Sequence, residues 1–215
     1  MNNENRKIIF LFPLLIYLIS ALVGCTSSQE RCILVVHSYE ETYTAYPEFN
    51  RLIAKQFKKE GVNADIRTLY LDCESYKEET ELKRMRYLLD SVSGDWRPEV
   101  ILVNEDQATY SLLKCGDPLV KEVPVVFAGV NYPNWELLKQ YPNATGFHDK
   151  IGFVQNAEMA RKLFGDSVRL FTLLDSTFLD VQIRKDARKQ LAGHRVTGFM
   201  DYPDIPSVEQ YRLVR

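Results

Sequence analysis

Polar side chains recur just beyond short apolar runs in this sequence. His37, Ser38 and Tyr39 follow the first run, with Glu40, Glu41, Thr42 and Tyr43 close behind. Asp72, Cys73 and Glu74 follow the second run, and Asn104, Glu105 and Asp106 the third. Gly129, Val130, Asn131 and Tyr132 follow the fourth. Further along, Asp175, Ser176 and Thr177, then Asp201 and Tyr202, hold the matching positions. Hydroxyl, amide, carboxylate and phenol groups drawn together hydrogen-bond and stack on a small polar or aromatic molecule. Each group also has a purely architectural use. His37 can close its strand through a backbone hydrogen bond, and Asn104 and Asp106 can cap the next helix. Gly129 can serve a tight turn, and Asn131 ahead of Tyr132-Pro133 is ordinary turn chemistry. Tyr39, Tyr43, Tyr132 and Trp135 hint at a ring in the ligand.

Signatures of catalysis are missing. No Gly-x-Gly-x-x-Gly follows a strand, and there is no phosphate loop. No Gly-x-Ser-x-Gly elbow and no His-Glu-x-x-His occur. A phospho-receiver domain needs acidic residues after its first strand, where this chain has His37-Ser38-Tyr39. A hydrolase built on Glu105 or Asp106 is left as a minor alternative. No cofactor is implied, and no Cys-x-x-Cys or His/Cys cluster offers a metal site.

The elements that must position these residues alternate regularly. Apolar runs predict strands over 32–36, 64–71, 100–103, 124–128 and 144–147. Continuous apolar runs are those of strands covered on both faces. Between them, helical spacing predicts helices over 46–60, 78–92, 107–114 and 135–140. Phe49, Leu52, Ile53 and Phe57 form the stripe of the first helix, with Pro47 in its first turn and Gly61 beyond its end. Leu82, Met85, Leu89 and Val92 form the stripe of the second. Asn134 stands where it can cap the fourth. This βα alternation argues for an α/β fold with a doubly wound parallel sheet. Near residue 150 the chain changes character. A helix to 164, a strand over 169–174, a helix striped by Leu179, Ile183, Ala187 and Leu191, and a strand over 195–200 follow. Another helix can start at Pro206-Ser207. Two strands make no stable sheet alone, so the expectation is a complete first lobe over 32–150 and an incomplete second lobe over 151–215. One seven-stranded sheet is the alternative.

The N-terminus reads as an export signal over 1–24: Arg6 and Lys7, then an apolar run too short for a comfortable membrane span. It ends in Leu22-Val23-Gly24-Cys25, which resembles a bacterial lipobox with Cys25 as the lipidated residue, followed by a polar tether over 25–31. An ordinary signal peptide or an uncleaved anchor is the alternative. All three place the rest of the chain outside the cytoplasm, and the lipidated and anchored forms hold it at a membrane. With 27 basic and 29 acidic residues among 215, no nucleic-acid partner is expected. Cys32, Cys73 and Cys115 are expected to be buried thiols, although a Cys32–Cys115 disulfide fits the order of elements. Asn143-Ala144-Thr145 matches a glycosylation sequon.

The run 123–133, Val-Pro-Val-Val-Phe-Ala-Gly-Val-Asn-Tyr-Pro, is followed by Asn-Ala-Thr-Gly-Phe at 143–147. Together they resemble paired motifs of the ABC-type substrate-binding protein family related to tryptophan- and tyrosine-binding lipoproteins. Similar domains form the extracytoplasmic sensors of bacterial histidine kinases, to which His37-Ser38-Tyr39-Glu40 and Val130-Asn131-Tyr132-Pro133 look closer. The resemblance implies a type I periplasmic-binding-protein fold that clasps a small molecule between two lobes. One jaw would be His37, Ser38, Tyr39, Asn104, Glu105, Asp106, Gly129, Val130 and Asn131, and the other would begin with Asp175 and Ser176. It implies a sensor region of a membrane receptor or, alternatively, a lipoprotein serving an ABC importer. The partners would be a kinase region or an ABC permease.

Overall fold

The strands pair in the order β2-β1-β3-β4-β5, all parallel. They are β1 (Arg31–His37), β2 (Ala64–Tyr70), β3 (Val100–Asn104), β4 (Val125–Val130) and β5 (Ala144–His148) in a computed structural model. It describes residues 30–73, 75–92, 94, 96–165, 170–174, 178–194 and 199–202. The predicted signal, Cys25, Asp175, Ser176 and the helix start at Pro206 lie outside the described residues.

The connecting helices are α1 (Tyr46–Lys59), α2 (Glu78–Val92), α3 (Asp106–Lys114), α4 (Leu119–Glu122) and α5 (Trp135–Leu138). The short α4 escaped the periodicity, which needs more than one turn to register. Right-handed crossovers put α1 on one face of the sheet and α2, α3 and α5 on the other. On the second face Leu34, Val36, Ile101, Val103, Val125 and Phe127 pack with Met85, Leu89, Ala108, Leu112 and Leu113 in the main core. The first face is more open. Ile33 and Val35 are buried, but Leu102 and Val126 are half-buried and Phe147 is exposed. The predicted α1 stripe is accordingly not a buried one. Phe49 and Leu52 are exposed, Ile53 and Phe57 are half-buried, and Tyr46 alone of the helix is fully buried.

Helix ends follow their local chemistry. Gly61 takes φ 72° past α1 and donates its N–H to Lys58 O at 3.1 Å. Asn134 Oδ1 accepts from Leu137 N at 3.1 Å and so caps α5 as expected. Asn143 Nδ2 donates to Val120 O at 2.8 Å and Val123 O at 2.6 Å, tying α4 to the start of β5. The nitrogen that a sugar would need is therefore engaged in the fold. All three described cysteines are thiols. Cys115 is buried as expected; Cys32 and Cys73 are partly exposed.

Gly146 lies against β4 so closely that an added Cβ would sit 2.0 Å from Phe127 O. We expect Gly146→Ala to cost about 1–3 kcal/mol of stability by overpacking, measured as the shift in urea midpoint. A neutral result would mean that β5 lies further from β4 than described.

Beyond β5 come α6 (Phe153–Phe164), β6 (Leu170–Leu173), α7 (Phe178–Leu191) and β7 (Phe199–Tyr202). β6 and β7 pair in parallel as a separate two-stranded sheet, so the seven strands do not form one sheet. Among the described residues no helix is long and apolar enough to cross a membrane.

Candidate functional site

Strand order reverses between β1 and β3, since β2 lies to one side of β1 while β3, β4 and β5 follow on the other. In an open α/β sheet, ligands bind in the crevice outside the carboxyl ends of the strands at such a reversal. His37–Tyr39 leave β1 there, Asn104–Asp106 leave β3, and Gly129–Asn131 leave β4. The structure brings all three groups together through a continuous set of hydrogen bonds.

Ser38 is fully buried and works between segments far apart in sequence. Its hydroxyl donates to Asn104 O at 3.0 Å and accepts from Ala108 N at 2.9 Å. Ala108 is the third residue of α3, so Ser38 supplies the N-cap that the local side chain at Glu105 does not. Asp106 is also fully buried. Its two carboxylate oxygens accept from Asn131 N at 2.8 Å and Tyr132 N at 3.0 Å, fixing the β4 exit loop to the N-terminus of α3. The helix dipole favours the negative charge at this end. Tyr110 reinforces the same loop. Its hydroxyl donates to Tyr132 O and accepts from Asn134 N at 2.9 Å. Burial, with Asp106 nearby, pushes the Tyr110 phenol up to about 12, so it remains protonated.

His37 is buried beneath aromatic rings. It stacks on Tyr46 at 3.9 Å between centroids and lies 5.5 Å from Tyr70. Its Nε2 pairs with Asn50 Oδ1 at 2.8 Å, and Asn50 Nδ2 donates to the Tyr70 hydroxyl at 3.2 Å. Burial lowers the imidazole pKa below its ordinary value, opposed by the Asn50 hydrogen bond. Tyr46 then reaches the rim. Its hydroxyl accepts from Tyr39 N at 3.0 Å and donates to Glu105 Oε2 at 3.2 Å. Tyr43 stands 4.8 Å from both Tyr39 and Tyr46.

Glu105 is the most unusual residue of the rim. Its backbone has φ 74° and ψ 171°, a region that glycine alone enters freely. Its N–H donates to Ala128 O at 2.8 Å and its carbonyl accepts from Thr109 Oγ1 at 2.6 Å, which holds the strained geometry. Gly129, at φ 68°, makes room beside it: an added Cβ would meet Asn104 Oδ1 at 3.3 Å and Glu105 Cγ at 3.5 Å. Gly129 lies within β4, at the register irregularity between Phe127 and Val130, so its positive φ serves that irregularity and the close approach of Glu105 and not a tight turn. Burial pushes the Glu105 carboxyl up to about 7, opposed by the Tyr46 and Ser38 hydroxyls and reinforced by the charge on Asp106. Among the described residues no ion pair involves this carboxylate.

A folded-state pKa above the unfolded one means that the group contributes stability at low pH and loses it as pH rises. The stability difference between wild type and Glu105→Gln should therefore tilt against wild type from about pH 4.5 through about pH 7. Urea unfolding at a series of pH values measures this. A difference that does not change with pH would contradict the burial of Glu105.

The structure brings the loops singled out from the sequence together but divides the labour within them. Ser38 and Asp106 turn inward onto protein partners, His37 and Val130 are buried, and Tyr39, Asn104, Glu105, Gly129 and Asn131 are half-buried at the rim. Asp175 and Ser176 are not among the described residues. Tyr46, Asn50, Tyr70 and Tyr110 were missed as supports. Tyr46 alone carried a signal, as an aromatic at the helix start directly after a polar loop. Among the described residues no cluster of metal-ligating side chains occurs.

No protein-family model matches the chain, and no curated protein matches it. Solved structures do share its fold. A conserved domain protein from Vibrio cholerae aligns with a TM-score of 0.62 at 15% identity, over 81% of this chain and 57% of that one. The ligand-free, open structure of a substrate binding protein with adhesive properties from Clostridium difficile aligns with a TM-score of 0.52 at 14% identity, over 86% and 61%. A periplasmic binding protein from Burkholderia mallei aligns with a TM-score of 0.52 at 14% identity, over 87% and 51%. The fold is thus periplasmic-binding-protein-like, and the chain spans between 51% and 61% of the length of these structures.

Proposed function

We propose that the chain binds a small molecule at the carboxyl edge of its five-stranded sheet and does no chemistry on it. The observation that carries this reading is Glu105: a half-buried carboxylate with no ion-pair partner among the described residues, held in a glycine-like backbone conformation at the point where strand order reverses. Strain held by surrounding hydrogen bonds accompanies a site more often than a scaffold. The ligand donates hydrogen bonds to Glu105 and to the Asn104 and Asn131 side chains, and lies against Tyr39 and Tyr43. His37, Ser38 and Asp106 position these groups. Asp175 and Ser176 begin the opposing jaw, with the lobes divided near residue 150.

In this reading the module is extracytoplasmic and acts as the sensor region of a membrane signalling receptor of the histidine kinase type. The runs His37-Ser38-Tyr39-Glu40 and Val130-Asn131-Tyr132-Pro133 favour it. The second reading is a lipoprotein that hands a solute to an ABC permease, favoured by the lipobox-like Leu22-Val23-Gly24-Cys25 and by the binding proteins that share the fold. A thermal-shift screen against amino acids, nucleosides, sugars and small peptides tests the common claim. A ligand of the native state raises Tm by mass action. A shift that disappears in Asn131→Ala supports binding at this rim, and a hit unaffected by that change and by Glu105→Ala sinks it. Metabolic labelling with a fatty acid, lost in Cys25→Ser, separates the lipoprotein reading from a plain anchor.

A further inference from the structure

A second polar cluster lies behind the rim, between α2 and α3. Glu81 is 5% exposed, on the same buried face of α2 as Met85 and Leu89. Its Oε2 accepts from Ser111 Oγ at 3.3 Å, and its Oε1 is buried with no hydrogen-bond partner among the described residues. Arg84 follows three residues later on that helix. Its Nη2 donates to Leu71 O at 3.2 Å and its guanidinium lies 4.3 Å from the centre of the Tyr76 ring. Its Nε is buried without a hydrogen-bond partner among the described residues, as is Gln107 Oε1, one turn before Ser111 on α3. The Glu81 carboxylate and the Arg84 guanidinium are thus each half-satisfied, which is costly unless another arrangement is reached.

The residues that Arg84 grips belong to the 71–77 loop, which borders the rim. Leu71 N donates to His37 O at 3.1 Å and Cys73 N to Ser38 O at 2.9 Å, and Asp72 is held at φ 60°. We propose that Glu81 and Arg84 form a proton-linked latch on this loop and thereby regulate the ligand site. With Glu81 protonated, Arg84 stays on the Leu71 carbonyl and the Tyr76 ring. When the Glu81 proton leaves to solvent, the bare buried carboxylate draws Arg84 onto itself, and the loop loses its anchor next to His37 and Ser38. Other charges facing Glu81 are Glu78, which is paired with Lys114 of α3, and Asp72 of the loop. Both acids oppose ionisation; Arg84 and the Ser111 hydroxyl favour it. Burial dominates and puts the carboxyl up to about 7.

The latch rests on the proposed function only for its consequence at the site, and its test needs no ligand. Carboxyl carbon NMR of Glu81 and amide NMR of Leu71, Asp72, Cys73 and Tyr76 are recorded on the full chain between pH 5 and 9. Glu81 is expected to titrate near pH 7, with the loop signals following at the same midpoint. Glu81→Gln should hold the loop in its acid form throughout, which separates the effect from Glu105 in the same range. Ser111→Ala should raise the midpoint, because the lost hydroxyl favours the charged form. Loop signals that ignore the Glu81 titration, or that still titrate in Glu81→Gln, would overturn the latch. So would an ordinary carboxylate midpoint for Glu81. None of these results bears on whether a ligand binds at Glu105.

Discussion

Replacing Asp106 with alanine is expected to cost roughly 2–7 kcal/mol of folding stability. The carboxylate is fully buried and accepts the backbone N–H groups of Asn131 and Tyr132 at 2.8 and 3.0 Å. Alanine leaves both donors buried and unsatisfied, each worth about 1–3 kcal/mol, and removes a negative charge from the N-terminus of α3, worth about 0.3–1 kcal/mol more. Asp106→Asn keeps one acceptor oxygen in place and should lose about half as much. Urea unfolding with comparison of midpoints reads both. Beyond stability, the β4 exit loop carries Asn131 to the rim, so the alanine variant should also weaken any ligand that thermal shift identifies. A cost below about 1 kcal/mol would mean that the loop finds other acceptors and that Asp106 is free for a ligand.

Glu105→Gly should act in the opposite direction on stability. Glycine enters the φ 74°, ψ 171° conformation freely and removes a half-buried charge, so the fold should gain on the order of 1–3 kcal/mol from relieved strain. Added freedom in the unfolded chain offsets about 0.4–1 kcal/mol of that gain. Glu105→Ala keeps the strain while losing the carboxylate, and the pair of variants separates the two effects. Binding should fall in both. A hydrogen bond to a charged group contributes about 1.5–3 kcal/mol, roughly a tenfold to 150-fold loss of affinity. A stabilised variant with unchanged affinity would make Glu105 a structural residue.

The positions of the strands were largely legible because parallel strands buried on both faces leave apolar runs. β1 was predicted over 32–36 and spans Arg31–His37; β4 was predicted over 124–128 and spans Val125–Val130. The polar residues at their carboxyl ends were located as well, although His37, Asn104, Gly129 and Val130 belong to the strands and not to the loops beyond them. The direction in which a loop side chain turns was not legible. Ser38 is buried by Ala108, 70 residues away, and Asp106 by Asn131, 25 residues away. Such partners exist only once the crossovers are made. The α1 stripe shows the converse: Phe49, Leu52, Ile53 and Phe57 have the right spacing, yet nothing described covers Leu52, which is 47% exposed. Glu81 was readable in principle, since 81, 85 and 89 recur at the spacing of one helix face, but a carboxylate there is discounted by any reading that counts only apolar residues.

The central claim is that the carboxyl edge of the sheet, between β1 and β3, binds a small molecule. Amide NMR of the chain, titrated with whichever compound raises Tm, tests it most directly. Saturable shifts concentrated at Tyr39, Asn104, Glu105, Gly129 and Asn131 are the result expected from the geometry. Shifts that leave those five residues unmoved and gather elsewhere on the chain would contradict it.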